Sequence, residues 1–126
     1  MWRHLILLAS AGALGTLARH GAIAATQRWP SPIMPVGALV VNVIGSFAFG
    51  VVWALGEQRG IFTGQTRVFI LIGFLGAFTT FSTYAFESAL LIEGRRYGWA
   101  ALHMLANNGL SILMVFIGLT VAGRYG

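Results

Sequence analysis

The chain has 126 residues, of which 57% are hydrophobic and only 9% are charged, whereas a soluble domain carries about 25% charged residues. This composition cannot supply a water-exposed surface, and the absence of cysteine excludes disulfides and thiolate metal sites. The formal net charge of +5 comes from arginines scattered singly among apolar segments, a pattern that favours anchoring at membrane flanks over nucleic-acid binding.

Four apolar segments follow one another along the chain. Each supplies about the 20 residues that an α-helix needs to span the hydrocarbon core of a bilayer. The predicted spans are Leu5–Ala25, Pro35–Gly56, Arg67–Ile92 and Gly98–Gly123. Because they use up almost the whole chain, we expect residues 1–126 to form a single all-α, four-helix transmembrane domain.

The connections between the spans carry turn and interface signals. All three prolines lie in the segment Gln27–Pro35, where they separate the first helix from the second. Trp2, Trp29 and Trp99 are expected in the interfacial aromatic belt. The short charged turn Glu93–Tyr97 predicts that the third and fourth helices are antiparallel neighbours. The 17 glycines are mostly expected to let helices approach closely.

The arginines are nearly balanced across the membrane. With four spans both termini lie on one side, and orientation normally follows an excess of Lys and Arg on cytoplasmic loops. The side of the termini carries Arg3, Arg59, Arg67 and Arg124, and the opposite side carries Arg28, Arg95 and Arg96. This balance favours insertion in both orientations and an antiparallel, two-fold dimer. The alternative is that one extra arginine or an insertion factor fixes a single orientation.

The third span contains an unusual polar run. Five of the six residues from Thr79 to Tyr84 carry a hydroxyl, and Glu87 follows. Polar side chains inside a bilayer are costly unless they are partnered, so this run is a candidate functional site. Gly76 lies three residues before the pair Thr79-Thr80, and together they predict a break in the helix. The carbonyls freed there must be buried in protein or line a cavity, and they could bind a cation.

Polar residues also recur at helical spacing on the second and fourth spans. Asn42 and Ser46 share one helix face, and His103, Asn107 and Ser111 share another. In membrane helices such residues often hydrogen-bond between helices, with each bond contributing about 0.6 kcal/mol. Three helices with polar residues at similar depth favour a polar pathway instead.

The side chains of this pathway suit an anion. Hydroxyls and amides donate hydrogen bonds that can replace an anion's hydration shell, and the positive edges of phenylalanine rings such as Phe81 can add to them. Arg19 would either snorkel to the membrane surface or attract anions into a vestibule. Glu87 fits less simply and would accept hydrogen bonds from hydroxyls or be protonated.

Other functions are disfavoured. His103 is expected to be a packing or interfacial residue, because no other His, Cys or acidic residue is spaced to complete a metal site. No set of nucleophile and base is present, so an enzyme is not expected. A small proton-coupled multidrug exporter also has four helices, but it needs a membrane-embedded carboxylate, and the first span carries Arg19 and no acid. A purely structural membrane subunit would leave the hydroxyl run unexplained.

At these residues the chain resembles the Fluc family of small fluoride channels. The similarity covers nearly the whole chain and is most specific in the third span. The matching residues are Gly12, Gly15 and Arg19, then 37–47 with Gly50, then 73–76 and 79–83 with Glu87, and finally Asn107 and Ser111.

The resemblance implies both an assembly and a function. It implies an antiparallel, dual-topology homodimer in the cell (inner) membrane, with two pores. Through these pores fluoride would leave passively, which protects a microbe from fluoride toxicity. It also implies a structural sodium ion at the dimer interface, held by the backbone carbonyls of Gly76 and Thr79.

The resemblance also assigns roles to individual side chains. Those at the fluoride pore would be Asn42, Phe81, Ser82, Thr83, Tyr84, Asn107 and Ser111, with Arg19 in the vestibule and Glu87 on the polar track. Tyr84 departs from the family, in which phenylalanine is usual, and adds a hydroxyl donor to the aromatic edge.

Overall fold

The computed structural model describes residues 1–28 and 34–123. It contains four helical spans, each long and apolar enough to cross a membrane: Trp2–Thr26, Gly37–Gln58, Gly64–Glu93 and Tyr97–Ala122. The described residues contain no strand. The predicted all-α fold with four membrane-spanning helices is therefore confirmed. Trp29, two of the prolines and Arg124 lie outside the described residues.

Two spans depart from regular α-helical geometry. The second continues from the α-helix Gly37–Trp53 into a π-helical turn, Ala54–Gln58. The third opens as an α-helix, Gly64–Val68, and continues as a π-helical segment, Phe69–Leu75. Such π-helical turns are rare and often occur at functional sites. No sequence pattern indicated them.

The third span breaks in its middle, at Thr79 and Thr80. The helix ends at Phe78 and resumes at Phe81, while the two threonines have extended backbone angles, with ψ of 159° and 114°. Gly76 keeps helical angles, φ −62° and ψ −34°. The predicted break is therefore confirmed, but the threonines form it while the glycine remains helical.

Side chains take over the hydrogen bonds that the break removes. In an unbroken helix Gly76 O would accept from Thr80 N, but Thr80 N donates to Asn42 Oδ1 at 2.8 Å. Likewise Thr83 N, the helical partner of Thr79 O, donates to Thr80 Oγ1 at 3.1 Å. This second bond is the N-cap of the resumed helix. The carbonyls of Gly76 and Thr79 have thus lost their usual helical donors.

Glycines bring the second and fourth spans into backbone contact. A Cβ added at Gly50 would collide with the carbonyl of Val115, and one added at Gly118 would collide with the carbonyl of Phe47. Close packing of this kind holds membrane helices together where the hydrophobic effect between them is absent.

Substitution of Gly50 tests this contact. Gly50→Ala is expected to lower the free energy of unfolding by about 1–3 kcal/mol, the usual cost of overpacking, because the obstructing atoms belong to the opposite backbone. Gly21→Ala is the matched control, since an added Cβ at Gly21 meets no atom within 4 Å. Thermal unfolding in detergent compares the two variants, and equal stability would contradict the close approach.

A tight turn joins the third and fourth spans. The third ends at Glu93, Arg95 adopts a left-handed φ of 56°, and the fourth begins at Tyr97. The two helices lie side by side, and Asn108 of the fourth hydrogen-bonds to Tyr84 of the third. The prediction that these helices are antiparallel neighbours is confirmed.

Candidate functional site

A groove of roughly 360 Å³ lies beside the break in the third span. The second, third and fourth spans all contribute to its walls. Amides and hydroxyls form its polar lining, and the remainder is apolar or aromatic. The lining residues are Asn42, Gly45, Ser46, Phe49, Thr79, Thr80, Phe81, Tyr84, Asn107, Asn108, Ser111, Ile112 and Val115.

Asn42 links the break to the fourth span. Its Nδ2 donates to Thr80 O and to Asn107 Oδ1, both at 3.1 Å, and its Oδ1 accepts from Thr80 N at 2.8 Å. The side-chain amide therefore pairs with Thr80 as a neighbouring peptide group would. Both hydrogens of Nδ2 are already donated, so an ion in the groove must compete with Thr80 O or Asn107 Oδ1 for them.

A buried polar chain continues from Asn107 towards the end of the third span. Asn107 is 4% exposed and donates to His103 O at 3.0 Å. The Nε2 atom of the fully buried His103 lies 3.3 Å from Glu87 Oε2, although neither atom has a hydrogen-bond partner among the described residues. Glu87 also lines a second cavity, together with Arg96 at the turn. Asn107 thus lines the groove and Glu87 lines the second cavity, with His103 between them.

Two aromatic rings of the third span meet at the groove. Phe81 and Tyr84 pack edge to face, with ring centroids 5.4 Å apart and an interplanar angle of 67°. Phe81 is 76% exposed, so most of its ring is not covered by this chain. Tyr84 is half-buried, and its Oη accepts a hydrogen bond from Asn108 Nδ2 at 2.9 Å. The positive edge of an aromatic ring at the wall of the groove can face an anion.

The predicted hydroxyl residues fall into two groups. Ser111 lines the groove, and its buried Oγ has no hydrogen-bond partner among the described residues. Ser82 is exposed, and Thr83 Oγ1 accepts from Thr80 Oγ1 at 3.0 Å. Of the predicted pore residues, the groove brings together Asn42, Phe81, Tyr84, Asn107 and Ser111, but not Ser82 or Thr83.

Arg19 extends to the break in the third span. The side chain is half-buried, and its Nη1 donates to Thr79 O at 3.3 Å. This contact does not fit snorkelling to the membrane surface. It places a positive charge at a carbonyl that has left the helical ladder.

The contacts that two residues make at the groove were not foreseen from the sequence. Thr80 caps the resumed helix and bonds to Asn42, yet in the sequence it is one of several neighbouring hydroxyls. Asn108 bonds to Tyr84, which lies 24 residues away. In the sequence, the only indication of a role for Asn108 was its position next to Asn107.

Known proteins match this chain along nearly its full length. Residues 6–119 match the family described as CrcB-like protein, Camphor Resistance (CrcB). A protein of Nitrosococcus oceani named fluoride-specific ion channel FluC is 43% identical over 122 residues, which cover 97% of this chain and 98% of the relative.

Two further relatives carry the same name. The protein from Desulforapulum autotrophicum is 40% identical over 98% of both chains, and the one from Caulobacter vibrioides is 40% identical over 95% of both. The resemblance seen in the sequence is therefore confirmed, and this chain belongs to the CrcB-like protein family.

Proposed function

We propose that the chain is a fluoride-specific ion channel that exports fluoride passively across the cell (inner) membrane and protects the cell from its toxicity. Relatives that match nearly its full length are named fluoride-specific ion channels. The observation that carries the proposal is the groove at the broken third span, where amides and hydroxyls interrupt an otherwise apolar wall.

Fluoride in this groove would exchange water for donors of the protein. Among the described residues the hydroxyl of Ser111 has no hydrogen-bond partner, and Asn42 Nδ2 can turn from Asn107 Oδ1 to an ion. Conduction requires binding that is strong enough for the ion to enter and weak enough for it to leave. An amide that gives up an existing hydrogen bond to bind the ion gains only the difference between the two bonds, which keeps binding moderate.

The proposed assembly is an antiparallel, dual-topology homodimer with two pores. The near balance of arginines supports insertion in both orientations. Phe81 and Gly76 are exposed beside the break, so the third span has an open side that a second copy would cover. Ser82, which is also exposed, would then reach the polar track across that interface.

A structural sodium ion is proposed at the centre of this dimer. Thr80 N, the helical donor to Gly76 O, is bonded elsewhere, and Thr79 O accepts a hydrogen bond of 3.3 Å from Arg19, which leaves a lone pair. Carbonyl oxygens are suitable ligands for a hard cation. When bound, the ion would supply a fixed positive charge that holds the two broken spans together.

Fluoride efflux from liposomes tests the proposed function. The purified protein is reconstituted into liposomes loaded with potassium fluoride or potassium chloride, and valinomycin is added to let potassium follow the anion. Ion-selective electrodes measure each anion outside. We expect fluoride efflux well above that of empty liposomes and no chloride efflux. Absence of fluoride efflux, or equal efflux of both anions, contradicts the proposal.

The same liposomes distinguish a channel from a proton-coupled multidrug exporter. A passive channel releases fluoride without a pH gradient and stops when valinomycin is omitted, because charge then accumulates. A proton-coupled exporter would instead require a pH gradient and would move a cationic drug. If transport requires a pH gradient and moves a cationic drug, the protein is an exporter and the proposed channel function is wrong.

A further inference from the structure

The orientation of Asn108 at the groove is fixed by the backbone of its own helix. Its Nδ2 donates to Met104 O, one turn earlier, at 2.8 Å. Because a carbonyl oxygen can only accept, the nitrogen of the amide must face it and not the oxygen. The same nitrogen lies 2.9 Å from Tyr84 Oη. The second hydrogen of Nδ2 is therefore donated to the tyrosine.

Tyr84 is consequently left with an unused donor. A phenol has one O–H hydrogen, and an amide NH₂ group cannot accept it. The Tyr84 hydrogen must therefore point away from Asn108 Nδ2. Among the described residues the only partner of Tyr84 Oη is that nitrogen, and both residues line the groove.

The surroundings of Tyr84 hold its hydroxyl in place. The ring packs edge to face with Phe81, at 5.4 Å between centroids, and lies 5.7 Å from the ring of His103. A ring held between two others loses little further freedom when it binds an ion. The hydrogen bond that Tyr84 accepts from Asn108 also polarises its O–H group and strengthens its own donation.

From this geometry we propose that the Tyr84 hydroxyl is a direct ligand of the anion in the groove and that Asn108 is its positioning residue. The inference rests on the proposed fluoride channel and deepens it, because it names one ligand of the anion and the residue that orients this ligand. A short O–H hydrogen bond favours fluoride over the larger chloride, since electrostatic attraction rises as the distance falls. Tyr84 thereby contributes to anion selectivity.

Tyr84→Phe tests the ligand because it removes the hydroxyl and keeps the ring. Fluoride efflux from liposomes is expected to fall roughly 10- to 100-fold, as for the loss of a hydrogen bond to a charged group. The ratio of fluoride to chloride efflux is expected to fall with it. Tyr97→Phe is the matched control, because Tyr97 is 63% exposed at the start of the fourth span, and it should leave both unchanged.

Asn108→Leu tests the positioning residue. Alone it is expected to lower fluoride efflux less than Tyr84→Phe does. Added to Tyr84→Phe it is expected to have no further effect, because Asn108 acts only through the hydroxyl. If the Tyr84→Phe variant shows the efflux and selectivity of the wild type, Tyr84 is not a ligand of the anion. If the effects of the two substitutions on efflux are fully additive, Asn108 does not act through Tyr84.

A measurement of anion binding that does not depend on ion flux tests the role of Tyr84 separately from the channel function. In protein labelled with ¹³C at tyrosine Cζ, the Tyr84 resonance, assigned by its loss in Tyr84→Phe, is expected to shift with fluoride and not with chloride. If the resonance shifts with fluoride but the protein does not conduct, the proposed channel function is wrong and the proposed role of Tyr84 as a ligand stands. If the protein conducts fluoride but shows neither a shift of this resonance nor an effect of Tyr84→Phe, Tyr84 is not a ligand and the proposed channel function stands.

Discussion

Asn42→Ala is expected to lower fluoride efflux by about 100-fold or more, near the upper range for the loss of a hydrogen bond to a charged group. The amide both lines the groove and holds the break at Thr80. Its three hydrogen bonds, at about 1 kcal/mol each, also predict a loss of about 3 kcal/mol in the free energy of unfolding. Liposome efflux and unfolding in detergent measure the two effects.

Val40→Ala is the matched control for this variant. Val40 is half-buried on the same span and does not line the groove, so its truncation should leave efflux unchanged. Efflux is compared at a temperature where both variants are folded, as judged by their unfolding curves. If Asn42→Ala then conducts as well as Val40→Ala, Asn42 is a packing residue and not part of the pore.

Asn107→Ala is expected to destabilise the protein by about 1–3 kcal/mol. Asn107 is 4% exposed, and its removal leaves one hydrogen of Asn42 Nδ2 without its partner, whereas the carbonyl of His103 keeps the backbone hydrogen bond of its own helix. Each buried polar group left unpaired costs about 1–3 kcal/mol. Fluoride efflux is expected to fall about 10-fold, because Asn42 loses the bond that orients it towards the fourth span. Unfolding in detergent and liposome efflux check both values.

A double-mutant cycle tests whether the two asparagines act together. The Asn42→Ala/Asn107→Ala variant is expected to be more stable than the sum of the single effects predicts, by about 1 kcal/mol, because the residues share a hydrogen bond. Efflux should not recover. Asn42→Ala combined with Asn108→Ala is the control, since Asn108 bonds to Tyr84 and to its own helix. Additivity in the first pair would argue against the Asn42–Asn107 bond.

Local patterns predicted most of the architecture. Each span is a continuous apolar segment, so its length and composition were enough to identify it. The break was predictable because Thr79 and Thr80 lie close together in a polar run within such a segment. The turn at Glu93–Tyr97 fixed the pairing of the third and fourth helices because it is too short for another arrangement.

The contacts that shape the site were beyond such patterns. Asn42 and Thr80 are 38 residues apart, Asn42 and Asn107 are 65 apart, and Arg19 and Thr79 are 60 apart. Helical spacing indicated which face of a span is polar. It did not indicate which polar group on another span would be its partner.

The sequence by itself determined the four apolar spans, the polar run in the third and the family to which the chain belongs, since all three depend on the order of residues along short segments. Only the tertiary structure decided that Asn42 bonds to Thr80 at the break, that Arg19 reaches Thr79 O, and that Asn108 donates a hydrogen bond to the Tyr84 hydroxyl. The physical reason is that every carbonyl and N–H released at the break needs a partner where water is scarce. Which group becomes that partner depends on how closely the glycine-rich helices pack against one another.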